Sequence, residues 1–170
     1  MFLDESGAST QMTRNYGRAP SGERVAEGTP QSHWHTVTML AALTTQGLQA
    51  PMIIESPTDG DVFLAYLEQV LCPRLHPGQV VIMDNLSAHK VAGVQQLIAA
   101  SGARLLYLPP YSPDFNPIEQ AWSKIKQLLR SAKARSVEAL EGAIAEALRA
   151  ITADNALAWF SHCGYGLQQR

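Results

Sequence analysis

Apolar positions change period several times along the chain, and each change marks an element. Met1-Phe2-Leu3-Asp4 opens as a short first strand ending at Asp4, clipped relative to the ~5–6 residues usual for a strand. Residues 6–32 lose the pattern and are rich in Gly, Ser, Pro and Thr, which predicts an extended or loop-like segment. Residues 35–45 form a β-rich run, Gln46-Gly47 is a turn signal, and residues 48–55 return, so a hairpin is predicted. Over residues 59–75, Val62, Phe63, Tyr66, Leu67, Val70 and Leu71 recur at helical spacing, closed by Pro73 and Pro77-Gly78. Residues 79–84 are a continuous apolar run that fits a strand buried on both faces. A helix over 91–100 then ends at Gly102, and a second buried strand over 103–108 ends at Pro109-Pro110. Past a Pro-rich loop, two helical stretches cover about 117–134 and 137–163, the second with a break signal at Ala153-Asp154-Asn155.

Mixed pairing early and crossover helices later predict an α/β fold, a mixed sheet flanked by helices. At 170 residues, the chain has room for one domain. With 46% hydrophobic and 16% charged residues, it can bury a core and is not a disordered tail. Its apolar runs are too short to cross a bilayer, and its N-terminus has no secretory signal pattern. Cys72 and Cys163 stand alone without metal-finger spacing, which favours a reduced, cytoplasmic setting. A net charge of −2 excludes a globally basic DNA-coating protein but leaves room for a local basic face.

The candidate chemistry lies in acids at element ends. Asp4 and Asp84 each follow an apolar run, where catalytic groups of open α/β sheets gather. Glu119 opens a helix for which Asn116 suits the N-cap and Pro117 the first turn. Crowded carboxylates repel unless a cation joins them, and hard Mg²⁺ prefers oxygen donors. Each acid also has an ordinary reading: Asp4 and Asp84 as turn formers, and Glu119 as the partner of Asn116 in a capping box.

The flanking residues narrow the choice. Phe2-Leu3-Asp4-Glu5-Ser6-Gly7, the run from Val81 to Lys90 and the run from Leu108 to Trp122 closely resemble the catalytic domain of insertion-sequence transposases of the IS630 group, in the Tc1/mariner superfamily. Thirty-four residues separate Asp84 from Glu119, the D-D-34-E spacing associated with that superfamily, and residues 14–24 resemble the segment after its first catalytic Asp. The resemblance implies an RNase H-like fold, a catalytic and metal-binding triad of Asp4, Asp84 and Glu119, and two Mg²⁺ (or Mn²⁺) ions. It further implies DNA cleavage and strand transfer by a cut-and-paste route on double-stranded DNA, transposon ends and target alike.

Asn85, His89 and Asn116 are candidate supporting residues, the first two by orienting Asp84 or meeting a phosphate. Arg14, Arg18, Arg24, Lys90, Lys124, Lys126 and Arg130 are candidate DNA contacts, with Lys133 and Arg135 in the same basic stretch. Tyr111 and Phe115 are expected either to shape the Pro-rich loop or to anchor it to the core. His33 and His35 beside Trp34 read as an aromatic cluster, not a metal site.

Residues 1–170 are expected to be a single catalytic domain without the helix-turn-helix region of related transposases. A helix-turn-helix partner chain or reading frame and a second transposase copy are therefore expected partners, with no membrane and a cytoplasmic, nucleoid-associated location. Two alternatives fit the same residues: a non-catalytic remnant or regulator, and a stand-alone RNase H-like nuclease.

Overall fold

The computed structural model of the chain describes residues 1–31 and 33–166. Five strands form one mixed sheet: β1 (Phe2–Ser9), β2 (Thr36–Thr44), β3 (Gly47–Ile54), β4 (Val80–Met83) and β5 (Arg104–Tyr107). Their spatial order is β3-β2-β1-β4-β5. The β1, β2 and β3 meander is antiparallel, and β4 and β5 add in parallel on the other side of β1. Two helices supply the parallel crossovers: α1 (Gly60–Tyr66) precedes β4, and α2 (Val94–Ala100) joins β4 to β5. Three more follow: α3 (Ile118–Ala132), α4 (Val137–Arg149) and α5 (Ala153–His162).

Strand alternation divides the core into two layers. Phe2 and Ala8 of β1, with Val37, Met39, Ala41 and Leu43 of β2, pack against Trp122, Ile125 and Leu129 of α3 and the inner faces of α4 and α5. Leu3 of β1, with Leu40 and Ala42 of β2, packs on the other side against Phe63, Tyr66, Leu67 and Leu71 and against Val94 and Ile98 of α2. Helix α1 begins where the sequence predicts, because the Asp59 carboxylate accepts from the Val62 N–H at 2.9 Å. It continues as a π-helical turn over Leu67–Leu71 and a 3₁₀ turn that takes Pro73.

Three sequence expectations are corrected. The first strand does not stop at Asp4: β1 runs to Ser9 and pairs with β2 along its whole length, from Phe2 opposite Leu43 to Ser9 opposite Thr36. Ser6, Gly7 and Ser9 are weak strand formers, so their conformation comes from the partner strand. The second parallel strand is not buried: β5 lies at the sheet edge, with Leu106 and Tyr107 exposed. The break signal at Ala153-Asp154-Asn155, by contrast, does divide the C-terminal stretch into two helices, where the Thr152 hydroxyl and the Asn155 side chain form a reciprocal cap that starts α5. Asn116 is not the N-cap of α3. That position is Pro117, without a side-chain cap, and Asn116 ends a 3₁₀ turn over Pro113–Phe115. At the β2–β3 turn, Gly47 adopts φ 107°, and a Cβ there would stand 3.2 Å from the Ile151 carbonyl oxygen, so only glycine suits the position.

Candidate active site

Asp4 lies in the interior of the central strand with 6% of its surface exposed, on the face of β1 that looks toward α3. Asp84 directly follows β4, and Glu119 is the second residue of α3, exposed and free of any capping box with Asn116. Burial, then the charges of Glu119, Glu5 and Asp84, push the Asp4 carboxyl up to about 7, against the pull of the Glu5 N–H, which donates to its Oδ1 at 2.8 Å. The three acids thus share one electrostatic neighbourhood. Among the described residues, however, no three acidic, His or Cys side chains already stand as a metal cage.

Asp84 is tightly held. Its Oδ1 accepts from the Leu86 N–H at 3.0 Å and faces His89 Nδ1 at 2.7 Å. Burial raises the Asp84 carboxyl, but these two hydrogen bonds outweigh it and leave the group below the usual Asp value. His89 is completely buried, its ring 4.4 Å from that of Phe63, and its carbonyl accepts from Tyr107 Oη at 2.7 Å. Its second nitrogen, Nε2, stands 2.8 Å from Glu5 Oε2. Burial lowers the affinity of the imidazole for its second proton, yet the two carboxylates more than reverse this and raise it to about 9. Glu5 was absent from the sequence-derived set. Its sequence signal is only its place beside Asp4; its partner lies 84 residues away, beyond any local pattern.

Asp84 and Glu119 open onto a cavity of ≈ 400 Å³ whose other wall is the Pro-rich loop, residues 108–113, with Asn85 and Asn116. Asn85 Nδ2 donates to the Leu108 carbonyl and so ties the segment after β4 to that loop. Asn116, 3% exposed, leaves its Oδ1 buried without a partner among the described residues. Tyr111, at φ 56°, and Phe115 are exposed and do not anchor the loop to the core. The loop is tied through its backbone instead: Tyr165 Oη donates to the Phe115 carbonyl at 2.8 Å.

The basic candidates separate. Arg14 and Arg130 line one surface groove of ≈ 450 Å³ with Asn15, Tyr16, Ser123 and Gln127, and Arg14 and Arg18 line a neighbouring one with Glu27. Arg24 and Lys90 are exposed, Lys90 over the ring of Tyr107 at 5.6 Å, and Lys126 is half-buried on α3. Lys124 turns inward: its ammonium donates to the Ala150 carbonyl at 3.0 Å and to Asn155 Oδ1 at 2.6 Å. Arg135 donates to the carbonyls of Thr10 and Met12, and Lys133 pairs with Glu27, so both bind the 10–31 segment to the end of α3. All three thus make contacts within the fold.

Similar folds occur in transposases and integrases. The chain superposes on the Mos1 transposase paired-end complex with left transposon end (TM-score 0.71, 14% identity, 95% of this chain and 51% of that one). It also matches the catalytic domain of Mos1 mariner transposase (TM-score 0.64, 11% identity, 95% of this chain and 75% of that one). A third match is the catalytic core domain of BIV integrase (TM-score 0.52, 14% identity, 78% of this chain and 91% of that one). The chain therefore spans about half the length of the Mos1 chain in the paired-end complex. No curated protein sequence matches it. The fold is the RNase H-like fold that the sequence resemblance implies. A family model described as DDE superfamily endonuclease matches residues 1–141, and the chain belongs to that family.

Proposed function

We propose that this chain is the catalytic domain of a DDE transposase of the Tc1/mariner kind, cutting DNA and joining the freed end to a target. The observation that carries the reading is Asp4: a buried carboxyl pushed up to about 7 by burial and by the charges of Glu119, Glu5 and Asp84. Such a site is strained when ionised and empty of cations, and a divalent cation relieves the strain. The donors are all hard carboxylate oxygens, which fits Mg²⁺ or Mn²⁺. Mos1 paired-end complexes with Mg and with Mn are among the similar structures. Asp4, Asp84 and Glu119 would hold the ions, two in the full reading. When bound, they supply Lewis-acid stabilisation and lower the pKa of the attacking hydroxyl.

The chain's own residues do the rest. Both hydrogen bonds to Asp84 engage Oδ1, which leaves Oδ2 for a cation. The wall made by residues 108–113 and Asn116 gives the scissile phosphate a rigid side to lie against, since its prolines restrict the backbone. In the first step, water adds across a P–O bond and leaves a 3′-hydroxyl and a 5′-phosphate. In the second, that 3′-hydroxyl attacks a target phosphodiester and displaces its 3′-oxygen; bonds broken equal bonds made, and no external energy is needed. The groove of Arg14, Tyr16 and Arg130 is a phosphate-binding track leading from Glu119 along α3. A helix-turn-helix segment or partner chain would select the transposon ends, and a second copy would pair them, in the cytoplasm at the nucleoid.

The test uses the chain alone and fused to a helix-turn-helix domain, with inverted-repeat DNA and Mg²⁺, each beside its Asp84→Asn variant. Cleavage in the fusion that the substitution abolishes is the expected result. No cleavage in either form points to a remnant or regulator, and cleavage of RNA–DNA hybrids by the chain alone points to a stand-alone nuclease.

A further inference from the structure

Strand β1 presents two successive acids to opposite faces of the sheet. Asp4 shares its face with Phe2 and Ala8 and looks toward α3; Glu5 shares its face with Leu3 and looks toward the α1 layer, where His89 is buried. Glu5 is not close enough to the open cavity to line it. Its Oε2 instead meets His89 Nε2 at 2.8 Å, and His89 Nδ1 meets Asp84 Oδ1 at 2.7 Å, which forms a continuous chain, centred on the buried imidazole, from the far face of the sheet to the acid at the end of β4. The imidazole has no freedom to turn. Phe63 packs on its ring, Tyr107 holds its backbone carbonyl, and a carboxylate engages each nitrogen.

We propose that Glu5 is a positioning residue of the metal centre: acting through His89, it fixes the rotation of the Asp84 carboxylate so that one oxygen is committed to the protein and the other is presented to the cation. The proposal rests on Asp84 being a metal ligand. Hydrogen-bond partners that orient metal-ligating side chains act in this way, and their loss typically costs 10–100-fold in metal affinity or activity. Purely as a strut between β1 and the 87–90 turn, Glu5 would affect folding but not the affinity of the folded protein for a cation.

The experiment titrates the full chain with Mn²⁺, following free Mn²⁺ by electron paramagnetic resonance well below the melting temperature of each metal-free variant. Glu5→Met keeps the bulk and removes the acceptor, with Glu5→Ala standing in should it fail to fold; Glu5→Gln restores an acceptor for Nε2–H. The expected result is a loss of roughly tenfold or more in Mn²⁺ affinity for Glu5→Met and recovery of most of it in Glu5→Gln. Affinity in Glu5→Met equal to wild type, or no recovery in Glu5→Gln, would overturn the proposal. Asp84→Asn separates the two levels: if it binds Mn²⁺ like wild type, the metal-site reading itself falls; if it loses Mn²⁺ while Glu5→Met does not, only the role of Glu5 falls.

Discussion

Asp4 is the residue at which sequence, fold and chemistry meet. Its backbone is an ordinary rung of β1, opposite Ala41, yet its side chain is an acid where a neighbouring rung places Phe2. An unfolded chain ionises this group near 3.8, whereas burial and the adjacent carboxylates raise it to about 7 in the fold. The folded state therefore binds the proton more tightly, and the stability this confers is complete below pH 3.8 and lost as pH rises to about 7. His89 acts in the same direction at higher pH: raised from 6.5 to about 9, it contributes stability below 6.5 that is lost as pH climbs through 9. In metal-free buffer the protein should thus grow weaker from about pH 4 to pH 9, with the Asp4 share on the order of 4 kcal/mol. Asp4→Asn keeps an acceptor for the Glu5 N–H and removes the charge. Melting curves should show it more stable than wild type by several degrees at pH 8, with the gap closing near pH 4. A constant gap across that range would mean that Asp4 is not held in a strained, proton-seeking state.

At the scale of elements, α3 shows how one helix divides its labour. Helical spacing predicts a buried stripe of Trp122, Ile125, Leu128 and Leu129; the stripe observed is Ile118, Ala121, Trp122, Ile125 and Leu129, with Leu128 exposed at its margin. Its basic residues look alike in sequence, yet Lys124 joins α3 to the turn between α4 and α5, whereas Arg130 lies open in the groove with Arg14. Lys124→Ala should therefore lower the stability seen in urea denaturation by about 1–2 kcal/mol and leave DNA affinity unchanged. Arg130→Ala should do the reverse: little change in urea, but a salt dependence of duplex binding by fluorescence anisotropy that is shallower by about one unit of slope. The helices, the hairpin, the positions of both parallel strands and the acids Asp84 and Glu119 at element ends were legible because short-range periodicity and turn residues encode them; the exposure of β5 was not, because its place at the sheet edge is set by the strand order. The second half of β1 was not, since Ser6-Gly7-Ala8-Ser9 becomes a strand only by pairing with Thr36–Met39. The Asn116 cap failed because Pro117 takes that position, and the inward turn of Lys124 depends on a carbonyl 26 residues away. The Glu5–His89 pair was hidden for the same reason: local pattern carries no information about which distant side chains a sheet brings face to face.

The whole molecule is a device for keeping acids close that would otherwise separate. The sheet order sets β4 beside β1, which brings Asp84 level with Asp4, and the α3 layer lies over β1 and β2 with Glu119 at its first turn. Folding energy from two apolar layers overcomes this repulsion, so part of the stability is stored in the site and can be returned by a ligand that binds there. A cation that binds only the folded state adds RT ln(1 + [L]/Kd), about 2.7 kcal/mol at a hundredfold excess over Kd. For a chain of this size, that is a rise of roughly 5–10 °C in melting temperature. A cation held by Asp4, as proposed, would also have to displace its proton, so its effect would depend on pH. Below pH 5 the carboxyl holds its proton and Mn²⁺ should stabilise little; by pH 8 the carboxyl is ionised at cost, and Mn²⁺ should stabilise most, reversing the alkaline weakening of the metal-free protein. Calorimetric melts at pH 5 and pH 8, with Mn²⁺ or with EDTA, should show this crossed dependence in wild type and its loss in Asp84→Asn. Equal Mn²⁺ shifts in wild type and Asp84→Asn at both pH values would place the cation elsewhere on the surface and separate the strain at Asp4 from any catalytic use.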